Sequence, residues 1–194
     1  MSLMGKWQEL HGAATEPRNF GEDLTYAIAM GYLRGCAEVH DWGCGTAYAQ
    51  RYITPRQHYL GIDGTPTPWT AVVADLTEWC TPADGILVRH ILEHNTDWRG
   101  VLLNAVRSTR LRLAVVLFIP LRTDGHERDR TPLGSFRNLE LPESEVLEII
   151  KRELQVEARF TLATESEFGS ETVLLATRSS SWIPSDGEPM NDTA

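Results

Sequence analysis

Residues 38–47 read EVHDWGCGTA, a strand-like run that ends at Asp41 and turns at once through Gly43 and Gly45. A glycine corner that closes a strand lets backbone approach a ligand closely, because no Cβ stands in the way. A helix starting just beyond it would aim its free N–H groups at the same ligand. The corner points to a nucleotide, and it calls for an α/β fold whose strands end side by side. With 194 residues and 42% hydrophobic content, the chain is large enough for one such domain with a sizeable core and offers little for a second.

The pattern on either side of the corner supplies the elements. Residues 20–35 (FGEDLTYAIAMGYLRG) carry Leu24, Ala27, Ile28, Met30 and Leu33 at spacings of three and four behind acidic residues, which predicts a helix leading into the corner. A strand ending near Asp41 follows, then a helix over roughly 46–53 stopped by Pro55. HYLGID (58–63), TAVVADL (70–76) and DGILVRH (84–90) read as the second, third and fourth strands. DWRGVLLNAVRST (97–109) predicts a helix capped by Asp97, with Val101, Leu102, Ala105 and Val106 on one face. LRLAVVLFIP (111–120) is apolar almost throughout, as expected for a central parallel strand covered on both faces.

Beyond Pro120, residues 121–138 lack periodicity and read as a long loop. PESEVLEIIKREL (142–154) predicts a helix with Val146, Ile149, Ile150 and Leu154 as its inner stripe. VEARFTLAT (156–164) and ETVLLATR (171–178) predict an antiparallel hairpin. The fold class is therefore α/β: a three-layer sandwich around a doubly wound, seven-stranded, mostly parallel sheet that ends in a C-terminal antiparallel hairpin. The domain is expected over 20–178, after an N-terminal extension at 1–19 and before a Ser-, Pro-, Asp- and Gly-rich tail at 179–194 of disordered composition.

Composition removes several partners. A formal net charge of −9 argues against affinity built mainly on phosphate neutralisation, so nucleic acid is disfavoured. Cys36, Cys44 and Cys80 are odd in number and follow no CxxC or disulfide-dense spacing, which suits a reducing cytoplasm. No apolar run reaches the length of about 18 residues that a membrane span needs, and no membrane contact is expected.

In a doubly wound sheet, ligands bind beyond the carboxyl ends of the strands. That rule gathers residues 41–47, Asp63, Asp75 and residues 89–94 along one rim. A dinucleotide site wants G-x-G-x-x-G, but Tyr48 stands where the third glycine would fall. VHDWGCGTA instead resembles the first motif of the class I (Rossmann-like) S-adenosylmethionine-dependent methyltransferases, an acidic residue followed by G-x-G-x-G, with Ala47 in place of the last glycine. In that family an acidic residue ending the second strand accepts hydrogen bonds from both ribose hydroxyls, and Asp63 matches it. Another after the third strand meets the adenine amine, and Asp75 stands there. After the fourth strand, LVRHILEHNTDW (87–98) resembles the family's h-x-x-x-x-LEH-x-x-D, where h is apolar. The resemblance covers roughly 20–178. It implies S-adenosylmethionine as cofactor, with Asp41, Trp42, Gly43, Cys44, Gly45, Asp63, Gly64, Asp75, Leu76 and Arg89 around it.

The acceptor is less constrained. A methyl group on a sulfonium is already activated, so such a protein mainly aligns a nucleophile and manages a proton. Enzymes of this kind that methylate exocyclic amines of DNA bases carry Asp or Asn, then Pro-Pro and an aromatic, after the fourth strand; Arg89 and His90 stand there instead. His90, Glu93 and His94 sit at i, i+3 and i+4 and would share one face of a helix beginning near 90. There they could supply a general base, or a metal site of the kind that Glu-x-x-Glu-His forms in small-RNA 2′-O-methyltransferases. His126 is a further candidate for proton work. Its loop also offers Arg122, Arg128, Arg130 and Arg137, which in a mobile lid would suit a carboxylate or phosphate.

The expectation is thus a cytoplasmic S-adenosylmethionine-dependent methyltransferase, without a resident metal, acting on an O or N of a small molecule. Its rivals are an RNA 2′-O-methyltransferase with metal at His90, Glu93 and His94, a non-catalytic nucleoside-binding module, and an NAD-dependent oxidoreductase. Oligomeric state is left open.

Overall fold

The computed structural model describes residue 14 and residues 16–131, 136–165 and 168–179. The expected tail therefore lies outside the described residues beyond Ser179, as does most of the N-terminal extension. Helix α1 (Asp23–Tyr32) begins where the Glu22 carboxylate accepts the Leu24 N–H, and it runs into a 3-10 turn at Leu33–Gly35. It buries Thr25, Tyr26, Ala29 and Met30, while Leu24, expected inward, is 52% exposed.

Strand β1 (Glu38–Trp42) lies between β2 (His58–Asp63) and β4 (Ala83–Arg89), parallel to both, and β3 (Val72–Val73) pairs with the end of β2. Helix α2 (Trp98–Ser108) is capped by Asp97, which accepts the Gly100 N–H, as the sequence predicts. It leads into β5 (Thr109–Leu117), parallel to β4. A small hairpin of β6 (Arg128–Asp129) and β7 (Leu139–Glu140) precedes helix α3 (Glu143–Lys151). Strands β8 (Gln155–Ala163) and β9 (Ser170–Thr177) then pair antiparallel, with β9 against β5. The resulting order, β3-β2-β1-β4-β5-β9-β8, is the expected seven-stranded sheet with its antiparallel end.

Side chains alternate across this sheet with the period of two that strands impose. Val39, Leu87, Val116, Val173 and Leu175 pack against α1 and the tyrosine-rich turn. Trp42, Ile62, Val88, Val115 and Leu174 pack against α2 and α3, including the predicted Val146, Ile149, Ile150 and Leu154. Each large side chain so buried contributes about 1.5–3 kcal/mol, so both faces are held by apolar burial.

Three expectations need correction. The helix over 46–53 is only a 3-10 turn at Tyr48–Tyr52, because Ala47 immediately before it is left-handed (φ 54°, ψ 37°) and Pro55 blocks extension. The third strand shrinks from 70–76 to Val72–Val73, since the prolines and threonines at 65–70 form turns, with Thr70 N–H on the Thr67 carbonyl, and Asp75 starts another. The described residues of the 121–138 segment are not a free loop. Trp98 Nε1 and Arg99 Nη1 both donate to Glu127 Oε2, at 2.7 and 3.0 Å, and Arg122 exchanges backbone hydrogen bonds with Leu141 and Glu143. These bonds fasten the segment to α2 and α3, contrary to a mobile lid.

Candidate functional site

Strand register assembles the rim. Trp42 pairs with Ile62 on one side and Val88 on the other, so Gly43 comes level with Asp63 and Arg89. The Gly43 and Cys44 N–H groups both donate to the Ile62 carbonyl, at 2.7 and 3.0 Å, which turns the chain sharply over the end of β2. Gly43 and Gly45 hold φ of 75° and 52°, values that favour glycine. Close approach is equally demanding: a Cβ on Gly43 would overlap the Ile91 side chain that packs there. Ala47, where the resembled motif has its last glycine, adopts the same left-handed conformation despite its methyl group.

The acids divide by environment. Asp63, half-buried, accepts the Gly45 N–H (2.9 Å) on one oxygen and the Thr65 N–H (2.8 Å) on the other, which ties the end of β2 to the corner. An ionised carboxylate has about four acceptor sites, so two remain for the hydroxyls of a diol. Asp41 lies beneath the corner, 5% exposed, accepting from Tyr59 Oη at 2.6 Å; burial pushes its carboxyl up to about 6. Asp75 is exposed past β3, where the Thr77 N–H and hydroxyl occupy one of its oxygens and lower its pKa. Three more expected contacts fall elsewhere. The Trp42 and Leu76 side chains are in the core facing α2 and α3, and the Cys44 thiol is packed against Gly61, burial raising its pKa. Gly64 sits on the open side of the rim.

Arg89 is the main correction. Its guanidinium turns inward from the rim, stacks 3.7 Å over the Tyr26 ring, and donates to the Phe20 carbonyl (2.5 Å), Thr25 Oγ1 (3.2 Å) and Glu171 Oε2 (3.2 Å). Glu171 in turn accepts the Glu22 N–H and the Thr25 hydroxyl. Residues 18–22 are thereby strapped across the rim, and Arg18 N–H donates to Thr46 Oγ1 at 2.8 Å at the strap's other end. A Cβ at Gly21 (φ 88°) would overlap Glu171 and His90. Sequence reading missed Glu171, although a carboxylate two and four residues before the inward-facing Val173 and Leu175 calls for a buried partner.

The three residues of the LEH region do not share a helical face. His90 is left-handed (φ 56°), and only Leu92–His94 forms a 3-10 turn. His90 Nδ1 lies 3.2 Å from Arg89 Nη1, which must be the donor, and its Nε2 faces Glu171 at 3.4 Å without hydrogen-bond alignment. Burial brings its pKa down to about 4, and both ring nitrogens face protein groups, which removes it as a general base. Glu93 is fully buried and accepts the Phe118 N–H at 2.6 Å, with burial pushing its carboxyl up to about 8. His94 donates Nδ1–H to the Arg137 carbonyl at 2.5 Å, and burial lowers its pKa. The residues thus point at separate partners, and no cluster suited to a metal ion occurs among the described residues. His126 is exposed, its N–H on Asp124, away from these groups in the hydrogen-bond network. Arg122 and Arg130 both pair with Glu140 at 2.8 Å, and Arg137 with Asp129 at 3.1 Å.

No protein-family model matches the sequence, and neither does any curated protein. Solved structures do match. A 1,6-didemethyltoxoflavin-N1-methyltransferase from Burkholderia thailandensis, with 1,6-didemethyltoxoflavin and S-adenosylhomocysteine bound, is 18% identical over 80% of this chain and 77% of that chain, at a TM-score of 0.65. The N-methyltransferase NodS from Bradyrhizobium japonicum, in complex with S-adenosylhomocysteine, is 13% identical over 91% and 99%, at 0.64. The magnesium protoporphyrin IX methyltransferase from Synechocystis is 15% identical over 91% and 94%, at 0.62. No helix among the described residues is long and apolar enough to cross a membrane. Strand order and these likenesses together give the chain the class I, Rossmann-like fold of the S-adenosylmethionine-dependent methyltransferases.

Proposed function

We propose that the chain is an S-adenosylmethionine-dependent methyltransferase acting on an O or N of a small molecule. The observation that carries this reading is the pairing of a left-handed glycine corner with the half-buried Asp63 carboxylate, which keeps acceptor capacity for a ribose diol. When bound, the cofactor supplies a methyl group already activated by its sulfonium. Asp63, Gly43, Gly45 and Gly64 would hold it.

The acidic balance and the pairing of Arg122, Arg130 and Arg137 with carboxylates favour a small acceptor over RNA. Calorimetric titration with S-adenosylhomocysteine and with NAD tests the reading. Binding of the first alone supports it; tight binding of NAD without the other would overturn it. Methyl transfer to a panel of phenols, amines and acids then separates an enzyme from a module that only binds.

A further inference from the structure

Five rings from four stretches of chain meet at the rim beside the glycine corner. Phe118, one residue past β5, is the hub: its centroid lies 5.0 Å from His90, 5.1 Å from His94 and 5.5 Å from Phe168 in the β8–β9 turn. Phe136, just before β7, adds a ring 6.4 Å from His94. The pairs are tilted or edge-on, the arrangements aromatic rings prefer. All five residues stay partly exposed, although a phenylalanine gains about 1.5–3 kcal/mol from full burial. The cluster adjoins the corner directly, because Ile91, next to His90, is the residue packed on Gly43.

Charge narrows what such a surface can hold. Three arginines of the neighbouring segment are matched to carboxylates, Arg122 and Arg130 to Glu140 and Arg137 to Asp129, while Arg128 is exposed in β6, and Arg89 is matched to Glu171. Glu93 beneath Phe118 adds no negative charge at neutral pH, since burial keeps it protonated up to about 8. Among the described residues no cation stacks on these rings, so an anionic acceptor would gain little counter-charge there.

We propose that this ring cluster is the acceptor subsite and takes a planar aromatic or heteroaromatic compound bearing a hydroxyl or N–H and no carboxylate or phosphate. The inference rests on the methyltransferase reading above. The acceptor's O or N forms the new bond to the methyl carbon, the carbon–sulfur bond breaks with its electron pair left on sulfur as a thioether, and the proton is released to solvent.

The test is saturation-transfer NMR on the full chain with S-adenosylhomocysteine present, using catechol, its saturated analogue cyclohexane-1,2-diol, and benzoate. Catechol is expected to bind at least about tenfold more tightly than either comparator, and Phe118→Leu, which keeps apolar volume but removes the ring, to weaken it about tenfold. Phe136→Leu provides a second reading if Phe118→Leu lowers the melting temperature strongly. Equal binding of the saturated analogue, preferred binding of benzoate, or no catechol binding to a chain that does bind S-adenosylhomocysteine would overturn the proposal. Failure of S-adenosylhomocysteine itself to bind in calorimetry would instead overturn the methyltransferase reading.

Discussion

Arg89 Nη2 lies 3.2 Å from Glu171 Oε2, with the two side chains 3% and 0% exposed. An arginine at the end of β4 is thus neutralised by a carboxylate at the start of β9, and the pair holds residues 18–22 over the rim. Burial alone would raise the Glu171 pKa, but the nearby His90 ring, the Thr25 hydrogen bond and the charge of Arg89 outweigh it and hold it at about 2.

Removing one partner of a buried pair leaves an uncompensated charge, which costs about 3–5 kcal/mol. Glu171→Ala is expected to lose that much in urea unfolding and to expose Arg18 to trypsin in the folded protein. Unchanged stability and unchanged cleavage at Arg18 would show that the pair does not hold the strap.

Glu93 gives a pH signature. Its folded pKa of about 8 exceeds the usual carboxylate value of 4.5, so between these values the folded state binds more protons than the unfolded one. Its contribution is fully present below pH 4.5 and falls as pH rises towards 8, by up to about 1.4 kcal/mol per pH unit. Glu93→Gln keeps an acceptor for the Phe118 N–H and should flatten this slope in urea midpoints measured from pH 5 to 8. An identical slope in the variant would place the titration elsewhere.

Gly43→Ala should prevent stable folding or displace the corner, because its Cβ would overlap Ile91 and its φ is 75°. Adding Ile91→Ala removes the overlap and should recover part of the loss. A double-mutant cycle with no coupling between the two positions would contradict the packing described.

Ala47→Gly is expected to stabilise. A left-handed alanine costs about 1–2 kcal/mol, and the added freedom of glycine in the unfolded chain returns about 0.5–1. The net gain of roughly 0.5–1 kcal/mol should appear in thermal or urea unfolding.

Asp63→Ala should weaken S-adenosylhomocysteine binding by about 1–3 kcal/mol, the usual loss for hydrogen bonds to a charged group. Calorimetry checks it, and unaltered affinity would move the ribose away from Asp63.

Much of this architecture was legible because apolar periodicity survives in β2, β4, β5 and β9, where strand ends fall within one residue of the reading except in β5, which starts two residues earlier and stops three residues sooner. The stretch from Gly43 to Pro82 was less legible. There the crossovers are built from turns set by Gly43, Gly45, Ala47 and four prolines, and hydrophobic periodicity says nothing about a left-handed alanine. At the rim, register along the chain located Asp63 and the corner, but not which way a side chain leaves the strand end. Arg89 therefore read as a ligand contact although its partner, Glu171, stands 82 residues further on. His90 and His94 looked equivalent by spacing, and the left-handed backbone at His90 separates them.

The Glu22 N–H and the Glu171 carboxylate that receives it are 149 residues apart in sequence. During synthesis on the ribosome, the opening stretch consequently lacks its Glu171 anchor until β9 emerges, so the rim is sealed last, well after the parallel strands beneath it can have paired.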